Sequence, residues 1–117
     1  MTENQQIKRL IVAAGPTAVG KTSFAIKLAK YFDTEIISCD SRQLFKEMKI
    51  GIARPSREEL AEVKHHFIAS HSIHNHYDAG MYAQEVDVLL AKLFTRHNTV
   101  IMTGGTGLYI KAATEGL

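Results

Sequence analysis

The eight residues Gly15-Pro16-Thr17-Ala18-Val19-Gly20-Lys21-Thr22 constrain this chain more than any other stretch. They fit the pattern G-x-x-x-x-G-K-[ST] at every fixed position. A turn of this kind needs a strand before it and a helix after it, and the sequence offers both. Arg9-Leu10-Ile11-Val12-Ala13-Ala14 is a short apolar run of the sort that makes a buried parallel strand. Ser23 to Phe32 reads as a helix, with Phe24, Leu28 and Phe32 on one stripe and Ala25 and Ala29 beside it. Strand, glycine loop and helix together form an arrangement that holds a polyphosphate.

The chemistry comes from the backbone. Gly15 and Gly20 let successive amides turn inward with no Cβ in the way. The helix N-terminus adds unpaired N–H groups and a partial positive charge. Lys21 brings a full charge to the outer phosphates, and the Thr22 hydroxyl can sit on a magnesium ion that bridges two of them. Residues Gly15 through Thr22 are therefore the expected phosphate-binding set, with Thr22 the expected metal ligand. The loop specifies a di- or triphosphate. It does not specify which one, or whether phosphate is transferred or departs.

A chain of 117 residues suits one domain with a buried core. The net charge of +2 permits an RNA partner without arguing for one. The single cysteine, Cys39, excludes an internal disulfide, ends an apolar run and reads as a packing residue. No apolar run reaches membrane-spanning length, and Met1 to Gln6 is polar, unlike a secretory signal. These features lead us to expect a cytoplasmic protein that does not engage a membrane.

Beyond the first helix, which should stop near Asp33-Thr34, Glu35 to Cys39 reads as a second strand. It runs into Asp40-Ser41-Arg42-Gln43. Ligands of open α/β sheets sit at the carboxyl ends of strands. Asp40 is thus near the phosphate loop if strand two lies close to strand one. Equally, Asp40 and Ser41 could cap a helical turn over Arg42 to Lys46. Ser56-Arg57-Glu58-Glu59 matches a capping box and opens a short helix to about Lys64. His65 to Ala69 reads as a third strand or an extended loop. His65, His66, His71, His74 and His76 crowd together, but their spacing fits no standard zinc pattern. The longest helix begins at Asp78 or Gly80 and runs to about His97, burying Tyr82, Val86, Leu89, Leu90 and Leu93, with Asn98 as a left-handed cap. Thr99 to Thr103 is a further buried strand, followed by Gly104-Gly105-Thr106-Gly107 and a last helix. This order predicts an α/β fold: a phosphate-loop NTPase-like parallel sheet with helices on both faces.

One expected part is missing. A phosphate-loop kinase or NTPase usually ends an apolar strand in an acid that holds magnesium. Here the strand ends in Gly104-Gly105, and Asp40 is the best-placed acid.

Four motifs in order now carry a resemblance across nearly the whole chain: the phosphate loop; Asp40-Ser41-Arg42-Gln43; Gly51-Ile52-Ala53-Arg54-Pro55 with His65-His66-Phe67-Ile68; and Gly104-Gly105-Thr106-Gly107-Leu108-Tyr109. The chain resembles the N-terminal part of the tRNA dimethylallyltransferases, also called tRNA isopentenyl transferases. It has Ile52 and Arg54 where the family usually has threonine and lysine, and Ala69 where it usually has aspartate, so no catalytic role is assigned there. The resemblance implies transfer of a dimethylallyl group from dimethylallyl diphosphate to the exocyclic amine of an adenine beside the tRNA anticodon. It implies Mg2+ as cofactor, Asp40 and Thr22 as catalytic residues, and Asp40, Ser41, Arg42, Gln43 and Thr106 as contacts to the tRNA anticodon loop. It further implies that residues 1–117 are the phosphate-loop core at the start of a longer, monomeric enzyme, and that this piece alone is inactive. Other readings share the loop: an adenylate dimethylallyltransferase acting on free nucleotide, a small-molecule kinase using ATP, and a non-enzymatic nucleotide-binding module.

Overall fold

The computed structural model describes residues 8–14, 21–39, 44–47 and 55–104. Its elements are β1 (Arg9–Ala14), α1 (Lys21–Phe32), β2 (Ile36–Ser38), α2 (Arg57–Glu62), β3 (His65–His66), α3 (Ala79–Leu93) and β4 (Thr99–Gly104). The four strands form one parallel sheet in the order β1-β4-β2-β3.

The expected helices on both faces are there, and the strand alternation explains them. Ile37, Val100 and Met102 pack on one face with Tyr82, Val86 and Leu93 of α3. Ile36 and Ile101 point the other way, toward Ala25, Ile26 and Ala29 of α1 and toward Val63. Strand β4 is central, and Val100, Ile101 and Met102 have no exposed surface. A strand buried on both faces reads as a continuous apolar run, and this one does.

Helix α1 stops where expected and shows why. Asp33 takes φ 53°, its amide donates to the Lys30 carbonyl, and the Thr34 amide donates to Ala29. That pair of bonds is a Schellman closure. Its buried line differs from the expected stripe. Ala25 and Ala29 are fully buried, Leu28 and Phe32 flank them, and Phe24 is 56% exposed. Two alanines let the helix axis lie close to the sheet, and a phenylalanine in that line would hold it off.

The capping box at Ser56 is formed: its hydroxyl accepts from the Glu59 amide, and Glu59 accepts from the Ser56 amide. Helix α2 ends at Glu62, short of Lys64, because β3 begins at His65. Asp78 caps α3, its carboxylate accepting from the Met81 amide at 2.9 Å. That helix ends at Leu93, and the chain continues in hydrogen-bonded turns to His97. Asn98 is not the left-handed cap that its position suggests. Its carbonyl accepts from the Arg9 amide and its side chain from Lys8, so it fastens the start of β1. The second glycine turn and the last helix lie outside the described residues.

Candidate active site

The parallel register brings three strand ends to one edge. Ala14 pairs with Gly104, and Ser38 pairs with Thr103. The Cys39 amide then donates to the Thr103 carbonyl at 2.8 Å, and the Cys39 thiol lies 3.2 Å from the same oxygen. Cys39 is fully buried, in keeping with a packing role. Each strand end leads directly into a motif. The glycine loop follows Ala14, Asp40 follows Cys39, and Gly105 follows Gly104.

Strands β1 and β2 are not neighbours. Strand β4 lies between them, so their ends stand about 9.5 Å apart, two strand spacings. Gly104, at the end of the middle strand, takes φ 152°, a conformation that a Cβ would make costly.

Lys21 and Thr22 form the first turn of α1, which contains no acidic residue. Its N-terminus is therefore electrostatically open to an anion. Gly15, Pro16, Thr17, Ala18, Val19, Gly20, Asp40, Ser41, Arg42, Gln43 and Thr106 lie outside the described residues. What the structure fixes is the backbone on which they are mounted.

Sequence reasoning missed two supports of this edge. The buried Tyr82 hydroxyl donates to the Ser38 carbonyl at 2.8 Å, tying α3 to the end of β2. A tyrosine on a buried stripe must place its hydroxyl somewhere, and that was the available signal. The second is the segment after Gln43. Phe45 bridges to His71, and the Glu47 carboxylate accepts from the Ser72 hydroxyl and the Ile73 amide. Those bonds, the hydroxyl first, hold the Glu47 carboxyl below its ordinary range.

The histidines serve separate partners. His66 and His97 flank Glu35, His71 bonds Ser70 and Glu85, and His76 bonds Asp78. His65 binds the Val63 carbonyl through Nδ1, so that nitrogen carries the proton. Its Nε2 is buried and has no partner among the described residues. Among the described residues no cluster could hold a metal ion, and no helix is long and apolar enough to cross a membrane. A recess of about 660 Å³ lies beside β3, lined by Pro55, Leu60, His65 and Ile68 among others. None of its lining residues belongs to the three converging strand ends.

A parallel sheet with a glycine loop between its first strand and first helix defines the class: a phosphate-loop α/β protein. The family model for IPP transferase matches residues 43–117, and the chain belongs to that family. It is 56% identical over 108 residues to a tRNA dimethylallyltransferase of Christiangramia forsetii, covering 92% of this chain and 36% of that protein. The crystal structure of a tRNA isopentenylpyrophosphate transferase from Bacillus halodurans aligns with a TM-score of 0.84 at 34% identity, over 94% of this chain and 36% of that one. A eukaryotic dimethylallyltransferase acting on tRNA aligns with a TM-score of 0.81 at 30% identity, over 89% of this chain and 26% of that one. The chain thus spans about a third of the length of the relatives it matches.

Proposed function

We propose that the protein transfers a dimethylallyl group from dimethylallyl diphosphate to the exocyclic amine of an adenine next to the tRNA anticodon, in the cytoplasm. The observation that carries this reading is the alignment of three strand ends, Ala14, Gly104 and Cys39, each one residue from a motif. Family membership supports it, as do the printed activities of the relatives.

In this reading the amine nitrogen attacks the first carbon of the dimethylallyl group. The C–O bond breaks, and its electron pair leaves with the diphosphate. The amides of Gly15 to Gly20, the α1 N-terminus and Lys21 stabilise the charge that grows on the leaving group. The loop therefore holds what departs, and no phosphate acceptor is required. An adenine amine is a weak nucleophile because its lone pair is delocalised into the ring. Asp40 takes its proton, a contribution of about a hundredfold or more. Ser41, Arg42, Gln43 and Thr106 hold the anticodon loop, and extruding a base from that single-stranded loop costs roughly a few kcal/mol.

The 9.5 Å or so between the ends of β1 and β2 suits this division of labour. The leaving group lies at one, the base at the other, and the glycine end of β4 leaves room between them for the reacting atoms.

The residues suit a magnesium ion. The first turn of α1 has no carboxylate to compete for it, and Thr22 adds a hard hydroxyl oxygen to those of the diphosphate. When bound, the ion would supply further positive charge to the departing oxygens.

The test is to incubate the complete natural polypeptide with labelled dimethylallyl diphosphate and unmodified tRNA, beside arms with AMP and with ATP. Label in tRNA alone is expected. Label on AMP would move the reading to a free-nucleotide prenyltransferase. Phosphate transfer from ATP with no prenyl transfer would overturn it.

A further inference from the structure

The segment Asp40–Gln43 joins two described anchors, and they differ in kind. Before it, Cys39 is fastened to β4 by its amide, and the Ser38 carbonyl is held by the buried Tyr82 hydroxyl. This anchor belongs to the core. After it, Leu44 to Glu47 is fastened to a surface loop. The amides of Ser70 and His71 donate to the Leu44 carbonyl at 2.9 and 3.2 Å, and the Lys46 amide donates to the His71 carbonyl at 2.8 Å. The Glu47 carboxylate then closes the anchor with both of its oxygens. One accepts from the Ser72 hydroxyl at 2.6 Å and the other from the Ile73 amide at 3.0 Å.

The loop that receives these bonds is itself braced against α3. The His71 ring lies 3.0 Å from Glu85 and 2.7 Å from the Ser70 hydroxyl, and its centroid is 4.3 Å from that of Tyr77. The Tyr77 hydroxyl donates to the same Glu85 oxygen at 2.5 Å. A rigid path therefore runs from α3 through His71 to the residue next to Gln43. Glu47 is exposed and belongs to neither core cluster. Its two hydrogen bonds both serve to fix the end of one short connection.

We propose that Glu47 is a positioning residue for the reaction: its carboxylate, clamped to Ser72 and Ile73, sets the register of the segment that carries Asp40 and the tRNA contacts. The inference rests on the prenyl-transfer reading above. Displacing a proton acceptor by an ångström can cost about a hundredfold in rate. An anchor lost at one end only, with the core end intact, should cost less.

The experiment measures steady-state transfer to unmodified tRNA by the complete natural polypeptide carrying Glu47→Ala or Glu47→Gln. Binding of dimethylallyl diphosphate and the thermal midpoint are measured alongside. Glu47→Ala is expected to lower kcat/KM for tRNA by about thirtyfold, through kcat as well as KM. Diphosphate affinity should stay within about twofold, because the phosphate loop hangs on β1. The thermal midpoint should stay within about one degree, because an exposed polar side chain away from the core contributes little to stability. Glu47→Gln keeps an acceptor oxygen for the Ile73 amide and should recover at least half of the loss on a logarithmic scale. Wild-type kcat and KM in Glu47→Ala would overturn the proposal. So would a loss matched by weaker diphosphate binding or a lower midpoint, which would mark a general structural role. If the unmodified protein transfers no prenyl group, the underlying reading fails and the proposal falls with it.

Discussion

The two ends of the sheet are built on opposite plans. Where the strands begin, charge is gathered and neutralised inside the fold. Glu35, 15% exposed, takes His66 on one carboxylate oxygen at 2.7 Å, and His97 and Arg96 on the other at 3.1 and 3.3 Å. Burial acts to raise its pKa. The hydrogen bonds from His66 and His97, with the charges of His66 and Arg96, outweigh that and hold the carboxyl below its ordinary value. This one residue ties β3 and the turn after α3 to the start of β2. Where the strands finish, the last residues are Ala14, Cys39 and Gly104, and none carries a large side chain. The chain leaves each of them straight into a motif. The closed end satisfies its own charges and has none to offer. The open end has a cationic helix N-terminus and room beside it, and needs a ligand to supply the counter-charge.

The sharpest way to break this contrast is at the open end. Lys21→Ala should reduce prenyl transfer by roughly a thousandfold, because the leaving group loses its one full side-chain charge. Thermal stability should barely change. A variant that unfolds instead would make Lys21 a structural residue.

The closed end should behave in reverse. Glu35→Ala leaves His66, His97 and Arg96 without their shared carboxylate. A loss of about 2 kcal/mol is expected, less than for a fully buried pair because Arg96 reaches solvent. Measured where the variant is still folded, kcat should be unchanged. A fall in kcat there would join the two ends and end the contrast.

Tyr82→Phe tests the strut between core and site. It leaves the Ser38 carbonyl without its tyrosine donor, at a cost of about 1 kcal/mol in urea unfolding. The same change should lower transfer severalfold, since the carbonyl lies two residues before Asp40. Stability loss with unaltered transfer would show that the end of β2 needs no strut.

The smallest effect is on pH dependence. Burial, the largest influence on His65, pushes its pKa below the ordinary 6.5. Protonation would place an N–H at the buried Nε2, which has no partner among the described residues. A depressed folded-state pKa means that folding excludes the proton. The stabilisation is complete above pH 6.5 and is lost as pH falls through the folded-state value. Glu35 has the same sign one step lower, complete above 4.5 and lost through its own lowered value. Glu47, lowered chiefly by the Ser72 hydroxyl, and Asp78, lowered chiefly by the Met81 amide, add to that second step. The urea midpoint should therefore drop first below pH 6.5 and again below pH 4.5, and His65→Asn should remove the first drop alone. A midpoint that stays constant down to pH 5 would contradict the His65 assignment.

The two ends were also unequally legible in the sequence. The open end is written locally: a glycine loop, an acid and a second glycine turn each follow an apolar run, so their place at strand ends follows from short-range pattern. The insertion of β4 between β1 and β2 was not legible, because parallel pairing joins residues about ninety positions apart with no local signal. The Glu35 bracket was hidden for the same reason, with His66 and His97 lying 31 and 62 residues away. Helix α1 misled in a different way. Its largest apolar residue near the loop, Phe24, drew the expected stripe toward itself, while close packing on the sheet selected Ala25 and Ala29.

The central claim is that the β1 end holds a leaving diphosphate while an acid on the β2 end takes a proton from the incoming amine. The most direct test is Asp40→Asn in the complete protein, with transfer to tRNA and dimethylallyl diphosphate binding measured on the same preparation. Transfer should be abolished and binding should remain near that of the unaltered protein. Lost binding, or transfer that persists, would contradict the account.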